Sequence, residues 1–144
     1  MRTALATLLL TILLGSAATS AKAAQDALLY KDPQCGCCEA YADHLRAHGF
    51  DVTVNSSQDL AMIKRQHGVP GALEGCHTML VEDYVVEGHV PVATLLRLLR
   101  ERPEIRGISL PGMPAGSPGM GGEKTAPFTI YEIGEGPPRV FAVE

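Results

Sequence analysis

Hydrophobic positions recur along this chain in distinct rhythms, and each rhythm marks an element. Near the start, the uncharged run ALATLLLTILLGSAA follows the positive Arg2 and precedes Ala21-Lys22-Ala23, with small residues at the positions a signal peptidase reads. This pattern is that of a secretory leader, too short for a stable membrane span. Cleavage is expected near Ala23, so residues 1–23 are set apart as a signal peptide and 24–144 are taken as one domain. No later stretch is long and apolar enough to cross a bilayer.

Past the leader, the pattern alternates between strand and helix. ALLYK (27–31) is a short apolar strand, broken by Pro33 and Gly36. Cys38, Tyr41, Ala42 and Leu45 then fall at i, i+3, i+4 and i+7, one face of a helix that Gly49 closes. In FDVTVN, Phe50, Val52 and Val54 alternate with polar neighbours, as in a half-buried strand. Ser56 or Ser57 is expected to cap a second helix with Leu60 and Ile63 inward and Gly68 at its end. TMLV and YVVEG read as a hairpin around Glu82-Asp83. Pro91 suits the first position of a third helix, with Val92, Leu95, Leu96 and Leu99 on its apolar face and a stop near Pro103.

The order β-α-β-α-β-β-α implies a parallel first pair of strands and an antiparallel hairpin. That is an α/β fold, a thioredoxin-like mixed sheet flanked by helices. Residues 107–122 then hold six Gly and three Pro in 16 positions, so an irregular Gly/Pro/Met-rich loop is expected over about 107–127. FTIYEI and RVFAV follow as a C-terminal β-hairpin extension that continues the sheet or covers an edge.

Charge narrows the partners. The formal net charge is −4, and removing Arg2 and Lys22 with the leader makes it −6. An acidic chain without clustered Lys and Arg is a poor partner for nucleic acid. Nucleophile-elbow, zinc-protease, P-loop and dinucleotide signatures are absent from the sequence.

The chemistry concentrates in four cysteines. Cys35, Cys37 and Cys38 lie within KDPQCGCCEAY, and Cys76 lies in GCHT. Two structural disulfides are the ordinary expectation for an exported chain. The spacing argues otherwise, since Cys37 and Cys38 are adjacent and Cys35 and Cys38 form a C-x-x-C, a redox or metal spacing. In the expected fold the thiols open the first helix, where free amides and the helix dipole favour thiolate. Gly36 is expected to let the loop turn tightly. Disulfide exchange needs two thiols, and a third invites wrong pairings. A soft metal uses all of them: thiolates select Cu(I) and Zn(II), and one sulfur can bridge two Cu(I) ions. Topology places Cys76, just before the third strand, opposite the opening of the first helix; His77, at about the position where thioredoxins carry a cis-proline, is a weaker candidate ligand that otherwise only hydrogen-bonds the loop.

Other donors are secondary. Met113 and Met120 offer soft thioethers to Cu(I), or simply fill loop space. His44 and His48, at i and i+4, chelate in principle but belong to a helix face expected to be solvated. His67 reads as a helix cap, and His89 as structural or as support for a ligand from behind.

YKDPQCGCC, GCHT, VEGHVP and LPGMPAGSPGM, in that order across about residues 27–122, resemble the CopG-like family, long catalogued as a domain of unknown function. The resemblance implies a periplasmic domain linked to copper resistance in Gram-negative bacteria. It also implies a multi-copper cluster held by the residues at Cys35, Cys37, Cys38 and Cys76, and either interconversion of copper oxidation states or transfer of copper to an efflux system.

Three functions follow. The preferred one is an exported copper-binding protein holding more than one Cu(I), with Cys35 and Cys38 able to close as a disulfide on oxidation and a periplasmic electron donor to keep the thiols reduced. The second is a thiol–disulfide oxidoreductase with Cys35 attacking and Cys38 resolving. The third is a structural zinc module closed by the four cysteines. Whether the protein turns over as a copper or thiol oxidoreductase is left open by the sequence.

Overall fold

The structure is a computed structural model and describes residues 24–144; the expected leader lies outside the described residues. Seven strands form one mixed sheet ordered β2-β1-β3-β4-β5-β6-β7. β1 (Gln25–Lys31) pairs in parallel with β2 (Phe50–Ser56), and the crossover between them is α1 (Gly36–Ala47). β3 (His77–Val81) runs antiparallel to β1 and forms a hairpin with β4 (Tyr84–Glu87). α2 (Leu60–Gln66) precedes β3, and α3 (Val92–Glu101) follows β4. This is the expected thioredoxin-like core.

The helical period of α1 is realised as read: Cys38, Tyr41, Ala42 and Leu45 are all buried, and Gly49 takes φ +89 just past the helix end. α2 departs from expectation. Its cap is Asp59, whose carboxylate accepts from the Met62 amide at 3.1 Å, while the Ser57 hydroxyl accepts from the Asp59 amide. Its buried residue is Lys64, with Leu60 and Ile63 only half-buried. On α3, Pro91 sits just before the first helical residue, and Thr94, Leu95 and Leu98 are the buried face. Val92, Leu96 and Leu99 are partly buried beside it.

The loop expected from residue 107 begins instead with a strand. β5 (Gly107–Ser109) pairs in parallel with β4, so α3 is a second crossover. At three residues it is too short to stand out in a Gly- and Pro-rich stretch. Gly107 is required there: a Cβ would fall 1.8 Å from the Val85 carbonyl oxygen. β6 (Thr129–Ile133) adds to β5 and β7 (Val140–Val143) to β6, both antiparallel, so the C-terminal hairpin extends the sheet.

Side chains alternate across the sheet. Leu29, Met79, Val86, Ile108 and Ile130 face α1 and α3 and form the main core. Val85 and Ile133 face the other way, with Val69 and Leu73 from the segment after α2.

Candidate metal centre

The β1–α1 turn is built from the inside. Lys31 is buried at 2% exposure; its ammonium donates to the Asp32 carbonyl at 3.1 Å and meets Glu39 of the first helical turn at 3.2 Å. The Cys35 amide donates back to the Asp32 carbonyl at 3.0 Å. Cys35 thereby becomes the residue preceding α1, and Cys37 and Cys38 stand in its first turn. Gly36 has ordinary φ, and a Cβ there would meet nothing within 4 Å, so the turn does not depend on glycine at this position.

The four sulfurs converge. Cys35 and Cys38 are joined as a disulfide, and Cys37 and Cys76 are free. Cys37 Sγ lies 3.5 Å from Cys35 Sγ, and Cys76 Sγ lies 3.6 Å from Cys38 Sγ. Topology explains the arrival of Cys76: β3 begins where β1 ends, so the residue before β3 faces the start of α1. The same logic applies to the end of β4, which returns to the start of β3 and carries His89 to the site.

His89 is buried, and its Nδ1–H donates to the Pro118 carbonyl at 2.6 Å. That leaves Nε2 with a free lone pair, 2.9 Å from Cys76 Sγ. His77 Nδ1 lies 3.5 Å from the same sulfur, and His77 Nε2 is buried without a partner. Tyr41 packs against both imidazoles, with ring centroids 4.8 Å from His77 and 5.1 Å from His89, which are themselves 5.0 Å apart, and donates its hydroxyl proton to the Val90 carbonyl. Burial holds both histidines below the usual imidazole range, His77 well below it. Burial, and then Cys37, push the Cys76 thiol up to about 12. These shifts all favour the neutral forms, a thiol beside neutral imidazoles.

Two donor groups overlap here. Cys35, Cys37, Cys38 and Cys76 form one, Cys38, Cys76, His77 and His89 the other; within each, the donor atoms all lie within 4.8 Å of one another. Soft sulfur with borderline imidazole suits copper or zinc and is a poor set for Ca²⁺ or Mg²⁺.

The chain shares 37% identity with two solved structures of copper resistance protein CopG, forms 1 and 2. Each superposes with a TM-score of 0.77 over 84% of this chain and 98% of that one. The chain belongs to the CopG copper-resistance family. A family model described as protein of unknown function, DUF411, matches residues 73–120. No curated protein matches. Membership in the CopG family and a cysteine cluster able to hold metal together give the protein a copper-related role.

The remaining candidates separate by position. Met113 stands in solvent at 56% exposure, whereas Met120 is half-buried. Met120 follows Gly119, where a Cβ would come within 3.0 Å of the Cys37 carbonyl oxygen and 2.6 Å of the Tyr41 amide nitrogen. The Gly/Pro/Met loop thus lies directly on the first turns of α1. His44 is half-buried and His48 exposed on the far end of α1, and His67 ends α2. His89 is the residue the sequence reading left out of the centre. The signal was available: in a sheet ordered β1-β3-β4, the residues before β3 and after β4 are neighbours.

Proposed function

We propose that this CopG-family protein is exported to the periplasm and, once reduced, holds more than one Cu(I) ion in a thiolate cluster formed by Cys35, Cys37, Cys38 and Cys76. The observation that carries this reading is the overlap of the two donor groups at Cys38 and Cys76. One four-coordinate ion uses four donors; here four sulfurs and two imidazole nitrogens converge, and shared sulfurs are what bridging requires. His77 and His89 supply the nitrogen donors, His77 through the Nδ1 that lies 3.5 Å from Cys76 Sγ and His89 through Nε2. Met120 is a weaker candidate and Met113 weaker still. Residues 1–23 are the leader that directs export.

The chain's own residues prepare the site. The Pro118 carbonyl fixes the His89 tautomer that offers Nε2. The loop around Gly119 lies against the α1 backbone at Cys37 and Tyr41, and Cys38 is fully buried beneath it. Because Cys35 and Cys38 are bonded, loading requires two electrons and two protons to open that disulfide, delivered by a dithiol donor. Closing it releases two electrons, enough to take two Cu(II) ions to Cu(I). Copper is cargo in this scheme, passed on to an efflux system.

X-ray absorption on the reduced, Cu(I)-loaded protein tests the proposal. A sulfur shell with a short copper–copper vector is expected; a sulfur shell with no metal–metal vector overturns the cluster.

The observed disulfide favours a second reading, thiol–disulfide exchange by Cys35 and Cys38. It requires disulfide reductase activity on insulin that survives Cys37→Ser and is lost in Cys35→Ser. A structural zinc site needs only four donors, leaving the two histidines unexplained.

A further inference from the structure

On the face of the sheet opposite the thiols lies a second polar cluster that the copper chemistry does not touch. Lys64, Thr78 and Glu87 are all buried, at 4%, 0% and 0% exposure. The Lys64 ammonium pairs with Glu87 Oε1 and donates to Thr78 Oγ1 at 3.2 Å, and the Thr78 hydroxyl donates to Glu87 Oε2 at 2.8 Å. A buried ion pair is a weak stabiliser compared with a hydrophobic replacement, so it suggests another purpose.

The purpose lies in what Glu87 also holds. Its Oε1 accepts the Gly75 amide at 2.7 Å, one residue before Cys76. Two residues further back, the Leu73 carbonyl accepts from the buried Ser109 hydroxyl at 2.6 Å. The backbone leading into Cys76 is therefore gripped twice from beneath. It is also pressed against the segment after β4 that carries His89: a Cβ on Gly75 would fall 2.7 Å from Gly88 Cα. Gly75 and Gly88 each precede a site residue, so their close approach sets the Cys76–His89 contact.

We propose that Glu87, held by Lys64 and Thr78, is a positioning residue that fixes where the Cys76 sulfur stands by gripping the Gly75 amide through the sheet. The proposal rests on the thiol cluster being the working site, but its geometric half is measurable without copper.

Removing one partner of the pair strands a buried charge, so the test uses charge-balanced double variants. Lys64→Met/Glu87→Gln keeps an oxygen that can accept the Gly75 amide; Lys64→Met/Glu87→Leu does not. Each is placed in the full chain with Cys35→Ser and Cys37→Ser, leaving Cys38 and Cys76. The readout is the equilibrium of the Cys38–Cys76 disulfide in glutathione buffer, where glutathione disulfide takes the two electrons and two protons and becomes two glutathione thiols. The Leu variant should lower that equilibrium constant about tenfold, the scale of one lost buried hydrogen bond, and the Gln variant should stay within about twofold of the parent. Equal constants in folded Leu and Gln variants overturn the proposal. Should the Leu variant not fold, Thr78→Val, which removes one hold on Glu87, carries the test: a fall of about threefold supports the grip and no change overturns it. Cu(I) binding is then compared between the Leu and Gln pairs with all four cysteines present. A fall in thiol pairing with no fall in Cu(I) binding leaves the positioning standing and counts against Cys76 as a copper ligand.

Discussion

The Cys76 sulfur stands 2.9 Å from Nε2 of His89, whose other ring nitrogen is committed to the Pro118 carbonyl. A loop far along the chain thus decides which nitrogen of an imidazole meets a thiol. Replacing His89 with Ala removes a donor nitrogen and should weaken Cu(I) affinity by at least roughly 10–100-fold, the range already found when groups that merely orient metal ligands are removed. Competition with a chromophoric Cu(I) chelator measures it. Unchanged affinity would remove His89 from the centre.

Cys37 separates metal binding from disulfide exchange. It is free, and its sulfur lies 3.5 Å from that of Cys35, outside the bonded Cys35–Cys38 pair. Cys37→Ser should lower the number of Cu(I) ions bound to the reduced protein, counted by elemental analysis. If the count stays whole and insulin reduction persists, the oxidoreductase reading gains.

Buried neutral histidines predict an acid-sensitive apo-protein. His77 and His89 are held below their ordinary range by burial, so the unfolded chain binds more protons than the folded one at acid pH. Their contribution is present above about pH 6.5, the unfolded value, and is lost as pH falls through the folded values. Cys76 acts at the other end: its raised pKa makes the folded state hold its proton, so its contribution is lost as pH rises from the unfolded value of 9.0 towards about 12. Thermal melts of the metal-free protein should therefore fall on both sides of a neutral plateau. His77→Gln should flatten the acid limb, and an unaltered limb would assign it to other groups.

The loop over α1 should be sensitive at Gly119. This residue has φ +78, and a Cβ would lie 2.6 Å from the Tyr41 amide nitrogen. Gly119→Ala should cost ~1–3 kcal/mol from backbone strain, with added displacement of the loop. Chemical denaturation gives the first quantity, and faster alkylation of Cys37 the second. Wild-type stability with wild-type alkylation would place the loop elsewhere in solution.

Much of this was legible in the sequence because it depends on local period and strand order. Cys38, Tyr41, Ala42 and Leu45 declare the buried face of α1, and strand order alone brings Cys76 to the thiols. What escaped depends on tertiary placement. β5 is three residues long and owes its existence to the Val85 carbonyl that Gly107 lets approach. Lys64 reads as a solvated helix residue until Glu87 is found beneath it. Asp59 displaced the serines as the α2 cap because its carboxylate reaches the Met62 amide. His89 reads as structural or as support for a ligand because its direct approach to Cys76 depends on the residue after β4 standing beside the residue before β3.

The most direct measurement is an anaerobic Cu(I) titration of the fully reduced chain and of its Cys76→Ser variant, with bound copper counted by elemental analysis. More than one tightly held ion per chain in the parent, and a reduced count in the variant, is the expected result. Saturation at a single ion, or an identical count in both proteins, would contradict a copper cluster that draws on the sulfur across the sheet.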